Sequence, residues 1–206
     1  MRMATLSVGP IDENCYLVYT EAARHLYVID PGADADRIVA ATAGFPGFDE
    51  ARILLTHAHV DHIGAVGEVA RRLRATRVML DPADGDIYRS PYNSIPPVLP
   101  AARDLPPTAD FVTDGDFKVL RVPGHTPGGC AFLFEDADGK TLFCGDTLFA
   151  GSVGRTDLPG GDWETLLESI RRELLPLPPE TRVFPGHGGP TTIGGEKTQN
   201  PYLRGL

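Results

Sequence analysis

Apolar residues in this chain fall in short, mostly unbroken runs. "TLSVG", "CYLVYT", "LYVIDPG", "ARILLTH" and "RVML" each have strand length, and Gly, Pro, Asp or Asn stand at or near most of their ends. The first two flank "PIDEN" and predict a hairpin. "ADADRIVAATAG" has helical composition and a closing Gly, and "GAVGEVARRLRAT" places Val66, Val69, Ala70 and Leu73 at helical spacing. The first half therefore alternates strand and helix, the pattern of a layered α/β domain. Residues 90–109 interrupt it with six prolines between Pro91 and Pro107. Strand patterns resume beyond, so this stretch predicts a surface loop or lid rather than a linker. "FKVLRVPG", "CAFLFED" and "KTLFCGD" predict three more strands, "DWETLLESIRRELLPL" a helix and "RVFPGHG" a last strand. Residues 194–206 predict a short terminal helix or tail. No short-period repeat is visible, and one domain over residues 1–206 is expected.

Composition narrows the function. Lys and Arg number 19 against 28 Asp and Glu, a net charge of −9. That balance argues against nucleic acid as partner, while a local basic pocket still admits a small anionic substrate. The three cysteines, Cys15, Cys130 and Cys144, are far apart and form no CxxC pair. They predict a reducing compartment without a disulfide framework. No secretory pattern stands at the N-terminus and no apolar run has membrane-spanning length, so a cytoplasmic protein without a membrane partner is expected. Oligomeric state is not written in the sequence.

The six histidines are unevenly placed. His57, His59 and His62 crowd into "THAHVDH" with Asp61 among them, while His125 follows "VLRVPG" and His187 follows "RVFPG". Asp146 closes "TLFCGD" in the same manner. Each of these loops follows a strand-like run, and loops at one end of a sheet are where α/β proteins gather their sites. If residues 57–61 stay extended, His57, His59 and Asp61 share a side. His57 and His59 can then reach one metal, and Asp61, further along at the start of a helix with His62 beside it, a second. His125 can complete the first set and His187 the second, with Asp146 able to bridge. Imidazole and carboxylate are ordinary ligands for zinc, and open positions would leave room for water. Taken singly, Asp146 also suits a helix cap, and the "PGH" histidines suit turns. His25 reads as a surface residue of a hairpin.

"HAHVDH" with His125, Asp146 and His187 downstream resembles the metallo-β-lactamase superfamily, over nearly the whole chain. The resemblance implies a four-layer αβ/βα sandwich with the site at one edge. It implies His57, His59 and His125 around one metal, Asp61, His62 and His187 around the other, and Asp146 bridging. "GHTPGG", "GDTLFAGSVGRTDLPGGD" and "NPYLR" are similar to the glyoxalase II-like hydroxyacylglutathione hydrolases, of the short bacterial type. That likeness implies two divalent ions, zinc first, with iron or manganese as alternatives. It implies hydrolysis of glutathione thioesters such as S-lactoylglutathione, a metal-bound hydroxide attacking the carbonyl and Asp61 helping to orient it. Asp30 in "VIDPG" matches a recurrent position that can orient the site or simply form a turn. Two-domain glyoxalase II enzymes bind glutathione through an added helical domain, whereas here 19 residues follow His187. Arg155 is the candidate for a substrate carboxylate, with Lys197 and Arg204 weaker and Tyr88 and Tyr92 possible pocket walls. The alternative within the same superfamily is a mononuclear iron persulfide dioxygenase, with His57, His125 and Asp146 as ligands.

Overall fold

A computed structural model describes residues 1–205. The end of the predicted tail, Leu206, lies outside the described residues. The chain divides into two compact units, Met1–Val112 and Thr113–Leu206.

The first unit is built on one sheet of five strands, β1 (Arg2–Val8), β2 (Glu13–Thr20), β3 (His25–Ile29), β4 (Glu50–Leu54) and β5 (Arg77–Met79), hydrogen-bonded in that order. The β1–β2 and β2–β3 pairs are antiparallel and joined by tight turns. The β3–β4 and β4–β5 pairs are parallel, which demands crossovers. Helix α1 (Ala35–Ala41) makes the first, and α2 (Val60–Ile63) with α3 (Val66–Leu73) makes the second. Leu17, Val28, Ile38, Ile53, Val66 and Val69 form the core between sheet and helices. Tyr16, Val18, Tyr27 and Ile29 occupy the alternate positions and are equally buried. Burial on both faces is why these strands read as continuous apolar runs. The proline-rich segment holds short helical turns, including α4 (Gly85–Tyr88), and then a loop.

The second unit carries β6 (Phe117–Arg121), β7 (Cys130–Asp136), β8 (Gly139–Gly145), a small hairpin of β9 (Leu148–Phe149) and β10 (Ser152–Val153), helix α5 (Trp163–Ser169), β11 (Arg182–Pro185), β12 (Thr191–Thr192) and α6 (Ile193–Gln199). Its sheet runs β12-β11-β8-β7-β6, with β8 and β11 parallel. Asp162 caps α5, its side chain accepting from Thr165 N at 2.7 Å. The predicted long helix ends early as α5 and continues as a π-helical turn, Ile170–Leu174. Leu166, Ile170 and Leu174 pack against Leu133, Leu142 and Val183.

Both units follow one plan: three strands paired antiparallel in succession, a helical crossover, then a parallel fourth strand. An acid follows the third strand in each, Asp30 after β3 and Asp146 after β8. A histidine follows the fourth, His57 after β4 and His187 after β11. This repeat lies in topology, not in residue identity.

Candidate metal centre

In the first unit the chain leaves β4 and remains extended to His59, at φ −75° and ψ 149°. It then turns helical at Val60. Asp61 and His62 therefore occupy the first turn of α2, and the strand alternation expected through Asp61 stops at His59. Gly32 makes that turn possible: a Cβ there would lie 1.3 Å from the Asp61 carbonyl oxygen. His57, His59, Asp61 and His62 are all buried. The His57 ring lies 4.9 Å from that of His59 and 4.1 Å from that of His62, centroid to centroid.

Asp30 organises this cluster. It is buried and sits in the left-handed region at φ 51°, a conformation that Asp tolerates better than most residues. Its Oδ1 accepts from Thr56 N at 2.7 Å, and its Oδ2 accepts from the Thr56 hydroxyl at 2.6 Å. The same Oδ2 lies 2.9 Å from His62 Nδ1. A carboxylate only accepts, so His62 carries its proton on Nδ1. The Thr56 hydroxyl has a single proton, already given to Asp30. Toward His57 Nδ1, at 3.0 Å, that hydroxyl must accept, which places the His57 proton on Nδ1 as well. Both rings thus present the Nε2 lone pair, the arrangement typical of metal-ligating histidine. Ligand atoms of Asp30, His57 and His62 lie within 4.8 Å of one another. The three hydrogen bonds already made to Asp30 assign it to orienting the rings rather than to ligation.

The second unit repeats the device. His125 Nδ1 is 2.7 Å from the carbonyl oxygen of Arg155, which can only accept, so Nε2 again carries the lone pair. Asp146 Oδ2 lies 3.7 Å from His125 Nε2 and 3.8 Å from His187 Nε2. These separations exceed a hydrogen bond. They suit donors held on a cation, where ligand bonds of about 2.0–2.2 Å put neighbouring donors roughly 3–4 Å apart. His62 Nε2 and Asp61 Oδ2, in the first unit, stand 3.5 Å apart in the same way. Buried imidazoles with a lone pair facing a carboxylate at that spacing fit a divalent ion in donor type and distance.

Several residues not singled out in the sequence hold these donors. Asp84, fully buried, accepts from Ala58 N at 3.0 Å, between the two histidines of "HAH". Glu13 is buried with Oε1 3.7 Å from His62 Nδ1. In the second unit, Gly151 N donates to Glu196 Oε2 at 2.9 Å, and Asn200 Nδ2 donates to Ser152 O at 3.0 Å. Those bonds tie α6 to the β9–β10 hairpin, which runs from Asp146 to the Arg155 carbonyl. A Cβ on Gly154 would lie 1.9 Å from the Asp146 carbonyl oxygen, so only glycine lets the hairpin close there. "NPYLR" signalled Asn200 as a motif, but nothing in its spacing revealed this use.

The remaining candidates are placed as follows. The Arg155 guanidinium donates to both Asp157 oxygens, at 2.6 and 2.7 Å, and this partner holds the Asp157 carboxyl down at about 2. Holding a substrate carboxylate would require Arg155 to exchange that partner. Tyr88 is buried, its hydroxyl donating to Pro106 O at 3.0 Å, and burial raises its pKa. Tyr92 is exposed. All three cysteines are buried and outside any disulfide, and burial, then Glu13, push the Cys15 thiol up, away from reactivity. No helix of the described residues is long and apolar enough to cross a membrane.

A family model described as "Metallo-beta-lactamase superfamily" matches residues 8–187. Hydroxyacylglutathione hydrolase GloC of Haemophilus influenzae is 34% identical, over 98% of this chain and 98% of its own length. The crystal structure of TTHA1623 in a di-iron-bound form superposes with a TM-score of 0.85 at 40% identity, covering 97% of this chain and 100% of that one. ETHE1 from Myxococcus xanthus superposes at 0.76 and 31% identity, covering 100% of this chain and 85% of that one.

Proposed function

This chain belongs to the metallo-beta-lactamase superfamily, whose members are mostly metal-dependent hydrolases, and from that membership we propose that it hydrolyses glutathione thioesters at a dinuclear metal centre. Its fold is the mixed α/β fold of that superfamily, two sheets with helices, consistent with the four-layer sandwich. The observation that carries the reading is the proton inventory: His57, His62 and His125 each have Nδ1 committed to a fixed acceptor, which leaves the lone pair on Nε2. The superfamily pattern groups His57, His59 and His125 on one ion and Asp61, His62 and His187 on the other, with Asp146 shared. The di-iron form of TTHA1623 supports a two-ion centre, and the likeness to GloC supports a glutathione thioester as substrate.

Divalent ions bound there supply Lewis acidity and a water that ionises near neutral pH. The chain's own residues do the rest. Asp30, Thr56 and the Arg155 carbonyl fix the imidazoles, and in this reading Asp61 orients the attacking water. Water oxygen bonds to the acyl carbon, the C–S bond breaks, and carboxylate, thiol and a proton are released. A thiol of pKa about 8.5 departs without a strong general acid. None of the three buried cysteines is required as nucleophile.

The test is metal content together with S-lactoylglutathione turnover, on protein purified without added metal and then reconstituted with zinc, iron or manganese. About two ions per chain, with turnover lost in Asp146→Ala, is the expected result. One iron per chain, no hydrolysis, and oxygen uptake with glutathione persulfide would assign the chain to the mononuclear dioxygenases instead.

A further inference from the structure

In the second unit α5 lies directly on the turn that carries His125. Leu166 and Ser169 stand at i and i+3, share one face of the helix, and are both buried. Leu166 supports Gly124: a Cβ on that glycine would lie 2.3 Å from the Leu166 N and Cα. Hydrogen bonds flank this contact on both sides. Asp162 N, at the start of the helix, donates to Gly124 O at 2.8 Å. The Ser169 hydroxyl, at its end, donates to Pro123 O at 2.7 Å. One helix therefore holds the last two carbonyls before His125. The His125 ring is held separately, Nδ1 donating to the Arg155 carbonyl at 2.7 Å. Backbone and ring together fix the line along which Nε2 points.

Ser169 is the polar member of a buried stripe otherwise made by Leu166, Ile170 and Leu174. Packing alone gives no reason for it. Serine is a poorer helix former than alanine, and a buried hydroxyl is costly unless bonded. A serine inside a helix commonly bonds back to its own preceding turn, whereas this hydroxyl leaves the helix for Pro123. The helix then widens at once into its π turn, with Leu175 N donating to Ile170 O at 2.9 Å, a distortion frequent at functional sites. We propose that Ser169 is a positioning residue for His125. Its hydroxyl sets the Pro123 carbonyl and, through it, the approach of His125 Nε2 to the metal. This rests on the reading of His125 as a metal ligand and is independent of the substrate.

The experiment compares Ser169→Ala, Ser169→Cys and Ser169→Thr with the parent. Alanine and cysteine remove the hydroxyl, cysteine with little change of bulk, and threonine retains it. Long-range proton–nitrogen NMR of the imidazoles in the metal-free protein is the first readout, with His57 and His62 as internal references. The His125 ring signals are expected to shift or broaden in the alanine and cysteine variants and to return with threonine, while those of His57 and His62 stay in place. Competition against a chromophoric chelator is the second readout. Without the hydroxyl, affinity for one ion should fall about tenfold, the lower end of the loss when a ligand's outer partner is removed, and threonine should restore it to within about twofold. A serine that served stability alone would lower the urea midpoint and leave both readouts at their parent values, and that result overturns the proposal. Should the alanine variant unfold, cysteine against threonine makes the same comparison. Displaced His125 signals in a protein that binds no metal would remove the metal-centre reading and uphold Ser169 as the residue that orients the ring.

Discussion

Replacing Asp30 tests the orienting network most directly. Its carboxylate accepts three hydrogen bonds, from Thr56 N, the Thr56 hydroxyl and His62 Nδ1. Hydrogen bonds to a charged group each contribute about 1.5–3 kcal/mol, but three on one side chain do not add. Asp30→Ala strands buried donors and is expected to cost about 3–5 kcal/mol, as removing one partner of a buried polar cluster does. Alanine at φ 51° adds about 1 kcal/mol of backbone strain. Against a total stability of about 5–15 kcal/mol that variant is marginal. Asp30→Asn is the cleaner probe, because Asn tolerates the left-handed backbone and keeps the shape. It retains one acceptor but turns an NH₂ toward a neighbouring donor, at an expected cost of about 1.5–3 kcal/mol. With the imidazoles no longer fixed, metal affinity should fall about 10–100-fold. Urea unfolding of the metal-free protein gives the first number, and competition against a chromophoric chelator gives the second. Asn at position 30 with stability within about 0.5 kcal/mol of the parent and an unchanged metal Kd would refute the network's role.

Three further outcomes follow from the same geometry. Gly154→Ala should keep the secondary structure, seen by circular dichroism, yet lose bound metal, because its Cβ would overlap the Asp146 carbonyl oxygen at 1.9 Å. Glu196→Ala strands the donors of Gly151, Thr191 and Asn200, and should lower stability by about 2–4 kcal/mol in thermal or urea melts. The Asp157 carboxyl, held at about 2 by Arg155, should titrate near that value by carboxyl carbon NMR, and Arg155→Ala should return it to the ordinary range. Since the folded value is the depressed one, the pair's small contribution is present above about pH 4 and is lost as pH falls toward 2.

Much of this was legible in the sequence because the relevant signals are local. The strands of both sheets are apolar runs ended by turn residues, and the ligand candidates stand just beyond them. The reading of Asp30 as an orienting residue came from its match to a recurrent position of the resembled superfamily, since the turn by itself reads equally well as plain loop chemistry. Two-residue strands such as β9, β10 and β12 are too short to carry any periodicity. The helical start expected at Asp61 is present, as the separate short turn α2 ahead of the helix expected from Gly64 onward. Asp84 and Glu196 escaped for a different reason. Their role is to accept backbone N–H groups from distant residues, and a buried acid with such a partner looks in sequence like any acid of a turn or a helix.

The bonds between α6 and the β9–β10 hairpin set an order on the making of this protein. His57, His59, Asp61, His62 and the acid that holds their loop, Asp84, all leave the ribosome early. The hairpin that follows Asp146 pairs with itself, but its bonds from Gly151 N to Glu196 and from Asn200 to Ser152 O form only when those two residues have been added. At roughly 5–20 residues per second that interval is on the order of ten seconds. A nascent chain therefore displays a set of first-unit histidines well before their counterparts are fixed, and a truncated product lacking the last turns of helix would carry every proposed ligand residue while its Asp146 loop remained unsecured.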